Sequence, residues 1–386
     1  MIIAFDANIH GLGHVPFNRA MVAVLVSGFG EDVELFINDS QCGSWNSADP
    51  MEGVLAKPLR VSGGSKARSA LNALLEVNTL RRLLNYAISE NASIVVALSL
   101  GPIAHFLLPF FGKKLGRIPR FVVTLHGELQ ELERSKRSPL SRAFWLRAAL
   151  RTHPWNVTRL CLGSSIRRRL HGLGYDVHDM VSIDHPCLAD RIDQARQCSD
   201  APLFVVPGGA SRLKGSEQSF RLAALVGEGV GSSAAHFALV GSWSPELEPW
   251  DNGLVSHGCS GVQLASDEYE RDVRAADFLC FLYPPNSYSL MASGALLDAV
   301  RFGRPVLCLR TSYFESLFAG RRSFGQVFDS LEELAKFIIT LVQSPDPVEY
   351  RNWLIGLEGL RESLDPNVIG PYLARELDLK RRAIGS

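Results

Sequence analysis

The 386-residue sequence is poor in several features that define common protein classes. Its seven cysteines, Cys42, Cys161, Cys187, Cys198, Cys259, Cys280 and Cys308, are odd in number and form no C-x-x-C pair. That argues against a disulfide framework and a structural zinc site, and for a reducing compartment. Net charge is absent too, because 40 Lys and Arg balance 40 Asp and Glu, so the composition is not that of a general polyanion binder. With 21% charged residues and ordinary apolar content the chain is not disordered. No internal repeat or low-complexity stretch stands out. Long apolar runs are scarce, and the one candidate membrane span, residues 94–111 (IVVALSLGPIAHFLLPFF), is interrupted by Gly101, Pro102, His105 and Pro109. A buried strand followed by a helix starting near Pro102 accounts for it better. The opening MIIAFDAN has no basic segment and its apolar run ends at Asp6, so it reads as a first strand and not a signal peptide. A cytoplasmic protein is the expectation.

What the chain does have is a regular alternation of strands and helices, long enough for two domains. The first series runs from MIIAFDAN through a glycine-rich loop, a helix and DVELFIND. After a polar stretch and a leucine-spaced helix come SIVVALSL, RFVVTLHGE, NVTRLCLGSS and MVSIDHP. A polar segment over residues 188–202 interrupts the pattern. A second series follows, with LFVVPGG, HFALVGSW, DFLCFLYPP and VLCL as strands. Buried apolar strands separated by helices imply parallel sheets covered on both faces. The expected division is 1–197 and 198–386, two Rossmann-like doubly wound α/β domains, with the last helix placed to pack back on the first. Ser330 and Glu333 form a capping box for LEELAKFIITLVQ.

Chemistry concentrates in residues 288–309, YSLMASGALLDAVRFGRPVLCL. Ser293 and Gly294 can start a helix, Gly303 can stop it, and Pro305 blocks its continuation before a strand. A helix start leaves N–H groups free for an anion such as a diphosphate, and Asp298, about one turn in, can accept hydrogen bonds from a ribose. The loop GGASRLKG after LFVVP adds Gly208, Gly209, Arg212, Lys214 and Gly215, where small residues admit a ligand and the cations neutralise phosphate oxygens. His126 ends a central strand. His10 and His14 flank Gly11 and Gly13 in the first loop, and no neighbouring carboxylate in the chain completes a zinc set, so no metal is expected. His153 and His185 read as structural.

These features together resemble the GT-B glycosyltransferases, two Rossmann-like domains facing across a cleft, and within them the retaining family 4 type. The likeness in element order covers most of the chain, whereas matching residues fall in the second half and at His126. Lys214 and Gly215 match the end of the family's Gly-Arg…Lys-Gly diphosphate loop, with Gly209 at the usual arginine and Arg212 as its substitute. LLDAVRFGRPV matches the later motif, which puts Asp298 at the second glutamate, the ribose ligand. Leu290 stands at the first glutamate, which in the family contacts the donor sugar. His126 resembles the histidine placed against that sugar, and Gly11, Gly13 and His14 lie where the family approaches donor and acceptor. The resemblance thus implies catalytic roles for His126, Lys214 and Arg212, and donor binding by Gly208, Gly209, Gly215, Ser293, Gly294 and Asp298. It implies transfer of a hexose from a nucleoside diphosphate sugar to an acceptor hydroxyl, with retention, in bacterial polysaccharide or glycoconjugate assembly. The leaving phosphate takes the acceptor proton, and no cofactor or metal is called for. Two alternatives stay open: a non-catalytic nucleotide-sugar-binding partner, for which Leu290 is the best argument, and a nucleotide-sugar epimerase, which needs an acid and a base.

Residues 113–169 are rich in base: Lys113, Lys114, Arg117, Arg120, Arg134, Lys136, Arg137, Arg142, Arg147, Arg151, Arg159, Arg167, Arg168 and Arg169 against Glu128, Glu131 and Glu133. The segment SPLSRAFWLRAALR fits a helix resting on an anionic membrane surface, consistent with a saccharide or lipid-linked saccharide acceptor on the inner face of the membrane. A solvated basic face is the plainer reading. Nucleic acid is not expected, since no recognised binding module accompanies the charge.

Overall fold

Apolar strands alternating with helices need cover on both faces, and the computed structural model provides it in two separate parallel sheets. It describes residues 1–7, 14–47, 54–59, 69–112, 119–133, 141–154, 156–193, 197–259, 261–262, 264–285 and 287–385. Gly11, Gly13 and His10, together with Lys113, Lys114, Arg117, Arg134, Lys136 and Arg137, lie outside the described residues. One contact unit comprises Met1–Leu188, Leu290–Ala292 and Leu364–Ser386, and the other Ala189–Ser289 and Ser293–Ser363.

In the first unit the strands are β1 (Ile2–Asp6), β2 (Val33–Asn38), β3 (Ala56–Leu59), β4 (Ile94–Ser99), β5 (Arg120–Leu125), β6 (Val157–Leu162) and β7 (Met180–Ile183). They are all parallel, in the order β3-β2-β1-β4-β5-β6-β7. Helices α1 (Val15–Phe29), α2 (Asp39–Ser47), α3 (Ser69–Ser89), α4 (Pro102–Gly112), α5 (Arg142–Arg151) and α6 (Ser164–Gly172) connect them. Strand residues alternate between two cores. Ile2, Ala4, Val96 and Val122 face Met21, Val22 and Leu25 of α1, while Ile3, Phe5, Val95 and Val123 face Leu80 and Leu84 of α3 and Leu108 of α4. Every residue of β6 is buried, Arg159 included. Its guanidinium is tolerated there because it donates to Asp179 and to the carbonyls of Ala149 and Thr152.

The second unit orders β10 (Val255–His257), β9 (His236–Val240), β8 (Leu203–Pro207), β11 (Phe278–Phe281), β12 (Val306–Leu309) and β13 (Gly325–Phe328) in a second parallel sheet. Its helices are α7 (Gln218–Val230), α8 (Ser266–Ala275), α9 (Leu296–Phe302), α10 (Ser312–Phe318), α11 (Leu331–Gln343) and α12 (Pro347–Ser363). Phe237, Phe204 and Phe278 stack across β9, β8 and β11 with ring centroids 5.3 and 5.2 Å apart, and Tyr350 and Trp353 of α12 close edge-on over Phe278. The Ser330 cap of α11 forms, with the Glu333 N–H donating to Ser330 Oγ at 3.1 Å. Glu333 in turn accepts from the Asp329 N–H, one residue before the cap.

The final helix, α13 (Pro366–Gly385), belongs to the first unit and crosses α1 at backbone contact. A Cβ on Gly28 would overlap the Gly370 backbone, and one on Gly370 would overlap Ser27 and the Val24 carbonyl. Glycine at both positions lets the axes approach, and Ser27 Oγ donates to the Pro366 carbonyl at 2.8 Å. Among the described residues no helix is long and apolar enough to cross a membrane. Residues 94–111 instead divide into β4 and α4.

Each sheet reverses its winding once, between β1 and β4 in the first unit and between β8 and β11 in the second. The loops leaving those strands diverge there and open a crevice at the carboxyl ends, where open α/β sheets bind ligands.

Candidate functional site

At the reversal point of the first sheet, Asp6 ends β1 and Ser99 ends β4, paired across adjacent strands. Asp6 is fully buried, and its carboxylate accepts from Ser99 Oγ, from Asn18 Nδ2 at 3.0 Å and from His14 Nδ1 at 2.6 Å. Burial pushes the Asp6 carboxyl up, but the His14 bond and charge, with Ser99 and Asn18, outweigh it and hold the group below the usual carboxylate range. His14 occupies the N-cap of α1. Phe17, one turn on, carries the rings of His14, His126 and His185 around it at centroid distances of 4.8, 4.6 and 5.0 Å. His126 follows β5, and its Nε2 donates to the Leu98 carbonyl at 2.6 Å. His185 follows β7, and its Nδ1 donates to the Pro186 carbonyl at 3.1 Å. Because a carbonyl can only accept, these bonds fix both tautomers and leave a lone pair on His126 Nδ1 and on His185 Nε2. Burial, reinforced by the neighbouring imidazoles, pulls His126 down to about 3. His185 is pulled down to about 4, chiefly by burial.

Two further acids stand beside this cluster. Glu128 accepts from the His126 N–H at 3.0 Å, and burial raises it to about 6. Glu76 of α3 accepts from the Gly101 N–H at 2.5 Å, and burial raises it to about 7.

At the reversal point of the second sheet the chain leaves β8 through Gly208 and a single 3-10 turn, Arg212–Lys214. The Lys214 ammonium stands 3.3 Å from where a Gly208 Cβ would project, and Ala295, beside Gly294, is 3.6 Å from the same point. Gly215 has φ +67°, and a Cβ there would overlap the Leu282 carbonyl of the loop after β11, so only glycine closes the turn. Lys214 and Asp298 feel one another: burial lowers the lysine, and Asp298 opposes that. Asp298 is raised by burial to about 6, against the Tyr269 hydrogen bond and the charges of Arg301 and Lys214. Tyr269 of α8 donates to Asp298 Oδ2 at 2.5 Å, which fixes the carboxylate from behind. A desolvated cation, a carboxylate and a glycine-lined turn share one end of this sheet, a set suited to a phosphorylated sugar or nucleotide.

No family model matches the chain, and no curated protein sequence matches it. Among solved structures it is similar to the Anabaena HepE protein in complex with UDP and glucose, at TM-score 0.65 and 14% identity over 98% of this chain and 99% of that one. A glycosyltransferase from Rickettsia africae gives TM-score 0.65 at 12% identity, over 99% of this chain and 98% of that one. The UDP-N-acetylglucosamine 2-epimerase-like protein from Listeria monocytogenes gives 0.55 at 13%, over 97% and 94%. The chain has a GT-B-like fold.

Within this GT-B-like chain the residues singled out in the sequence fall into two groups. His14 and His126 meet in the first unit, with ring centroids 5.0 Å apart. Gly208, Lys214, Gly215, Gly294 and Asp298 gather in the second, around the loops after β8 and β11. Arg212 does not join them. It is exposed, its backbone N–H donates to Glu246, and its guanidinium lies over the Trp250 ring at 5.1 Å. Gly209 is likewise exposed, with Ser242 as its nearest side chain.

The expected helix start at Ser293 and Gly294 is displaced. α9 begins at Leu296, with Ala295 as a cap that makes no side-chain bond. Ser293 cannot cap it, because its buried hydroxyl is hydrogen-bonded to Tyr283 at 2.8 Å. The N–H groups of Leu296, Leu297 and Asp298 donate to the carbonyls three residues earlier, in a tight first turn. Leu290 is an interior residue. It is fully buried in a cluster of the first unit with Leu125, Leu129 and Leu146, and Met291 Sδ fills the space beside Gly127. The basic stretch is not one surface, since Arg159 is interior, Arg120 donates to the Leu377 carbonyl and Arg169 pairs with Glu133.

Asp6, Asn18, Ser99, Glu76, Glu128, His185 and Tyr269 are members of these clusters that motif reading passed over. A charged residue ending the apolar run of β1 was the available signal for Asp6. Nothing local in the sequence marks the others.

Proposed function

We propose that this chain transfers a hexose from a nucleoside diphosphate sugar to an acceptor hydroxyl, in the assembly of a bacterial polysaccharide or glycoconjugate. The observation that carries the reading is the convergence of the Lys214 ammonium and Ala295, one turn before Asp298, on Gly208 at the reversal point of the second sheet. Charge develops on the diphosphate as the sugar leaves, and a desolvated lysine stabilises that charge more than it stabilises the intact donor. Asp298, held by Tyr269, is the ribose ligand. The HepE protein of similar fold was solved with UDP and with UDP-glucose, which supports a donor of this chemical class. His126, neutral and half-buried, serves as a hydrogen-bond acceptor for a sugar hydroxyl and not as an acid. The family resemblance implies retention, with the leaving phosphate as proton acceptor.

The test is incubation of the purified chain with a panel of nucleoside diphosphate hexoses, with and without saccharide acceptors. Transfer, or slow release of free hexose, is the expected result. Interconversion of sugars without release would favour the epimerase, whose fold is also similar. Binding without turnover would favour a non-catalytic partner.

We further place the acceptor at the cytoplasmic face of a membrane. Phe106 and Phe110 of α4 and Phe144 and Trp145 of α5 form one run of ring contacts. Phe110 and Phe144 are exposed, as are Arg142 and Arg151 at the ends of α5. Aromatic rings flanked by arginine suit an anionic lipid surface. Sedimentation with anionic vesicles at low salt, lost on Phe110→Ser with Phe144→Ser, is expected; failure of the intact chain to sediment removes this part of the proposal.

A further inference from the structure

We propose that the outer face of α13 is a homodimer interface, on which a second copy of this chain lays its own α13 antiparallel. This pairing stands whether or not the chain transfers sugar.

A surface helix ordinarily carries one apolar stripe, and α13 carries two. Its inner stripe is accounted for, because Ile369, Leu373 and Leu377 are buried in the core that α13 shares with α1. On the opposite side Val368, Tyr372, Arg375 and Leu379 are all exposed. At about 100° per residue these four positions fall on one narrow line along the helix. Their intervals of four, three and four residues are those of the seam between two packed helices. A single exposed leucine needs no explanation, but a row of Val368, Tyr372 and Leu379 over three turns does. Nothing in the first unit's core asks for apolar side chains there, since the inner stripe already supplies them.

The order of the four side chains selects the occupant. Because the intervals read the same from either end, a two-fold axis between residues 373 and 374 lays the row on itself. Val368 then meets Leu379 of the second copy, and Tyr372 meets Arg375 of the second copy, each contact made twice. Within one chain the Arg375 guanidinium already lies over the Tyr372 ring at 5.5 Å, so the same favourable contact is repeated across the axis. A parallel pairing would instead oppose Arg375 to Arg375 and is disfavoured by like charge. The rim is balanced: Arg375 and Arg167 act on Tyr372 from one side of the ledger of charge, Glu376 and Asp184 from the other. Lys380 is turned away, donating to the His178 carbonyl. A neutral rim around an apolar row suits another copy of a chain without net charge and not an anionic lipid surface, in contrast to the arginine-flanked rings of α4 and α5. A seam of three turns is short, so the dimer is a weak, reversible one.

Sedimentation equilibrium of the full chain, from about 1 to about 100 µM, is the experiment; the mass is expected to rise reversibly from 42.4 kDa towards twice that value. Tyr372→Glu with Leu379→Glu is expected to weaken the dimer by at least about 30-fold, with thermal unfolding near wild type because both side chains are exposed. Tyr372→Arg alone sets guanidinium against guanidinium and is expected to be monomeric. Mixing it with Arg375→Tyr is expected to restore a heterodimer, since every ring then meets a cation across the axis; this arm tests the register and does not need the double variant to fold. A chain that stays monomeric at the highest concentration overturns the proposal. So does a dimer that survives the double variant undiminished, which would lie on another face, or a mixture that stays monomeric. Loss of sedimentation with anionic vesicles in the double variant would assign the face to lipid and overturn it as well.

Discussion

The two reversal points occupy the same place in two sheets of the same design, yet they are chemically opposite. In the first unit the polar groups answer one another: Asp6 takes hydrogen bonds from His14, Asn18 and Ser99, and His126 and His185 are tied to carbonyls. In the second, Lys214 is half-buried, which lowers it against the opposing charge of Asp298, and glycines at 208 and 215 keep side chains out of the way. A network of acceptors with lone pairs to spare suits neutral hydroxyl groups, and an under-compensated cation suits an anion. The topology supplies the position, and the side chains decide which kind of ligand each position suits.

The comparison is broken most directly at Lys214. Lys214→Ala is expected to lower kcat by about 10²- to 10³-fold, because it removes charge stabilisation that matters most in the transition state. Its thermal unfolding should stay near wild type, since the side chain lies in a loop outside either core. Asp298→Asn is expected to weaken donor binding by about 10- to 100-fold, the worth of charged hydrogen bonds to ribose. The sign of the pH dependence follows from the raised carboxyl: wild-type donor affinity falls as pH drops through about 6 and the carboxylate protonates, while the Asn variant is flat. Calorimetric titration across pH 5 to 8 checks both. Wild-type activity in both variants would mean that the second reversal point does not hold the donor.

How much of this could be read from the sequence differs between the units for a physical reason. The second cluster is built largely from one short stretch and one loop, so local residue types together with the family resemblance single out Lys214, Gly215 and Asp298. The first is assembled from the ends of β1, β4, β5 and β7, and Asp6, Ser99, His126 and His185 are far apart in the chain. Central strands were legible because they are continuously apolar. β3, β10 and β13 were not, being short edge strands, and β3 even contains Pro58, which only an edge tolerates. Leu290 reads as a lost sugar ligand when aligned with a motif; its burial among Leu125, Leu129 and Leu146 explains why an apolar residue stands there. Ser293 misled for a similar reason, because a serine before a helix signals a cap, and no sequence pattern says that a tyrosine ten residues earlier has claimed its hydroxyl.

A smaller effect sharpens the same contrast from the side of stability. Glu76 is raised by burial from 4.5 to about 7, only partly opposed by the Gly101 N–H and Arg142 and reinforced by Glu128. Between pH 4.5 and 7 the folded chain therefore binds more protons than the unfolded one, and stability must fall as pH rises through that window. Glu76→Gln keeps an oxygen to accept from Gly101 and removes the charge. At about 1.4 kcal/mol per pKa unit the variant should be more stable than wild type at pH 8 by about 3 kcal/mol, or roughly 4 °C in Tm, and nearly equal to it at pH 4. Thermal unfolding at the two pH values decides the matter. Parallel curves for variant and wild type would mean that Glu76 ionises freely, and the first unit would then carry a buried anion against the Gly101 N–H. In that case the opposition between a network of satisfied polar groups in the first unit and a cationic turn in the second would rest on geometry alone.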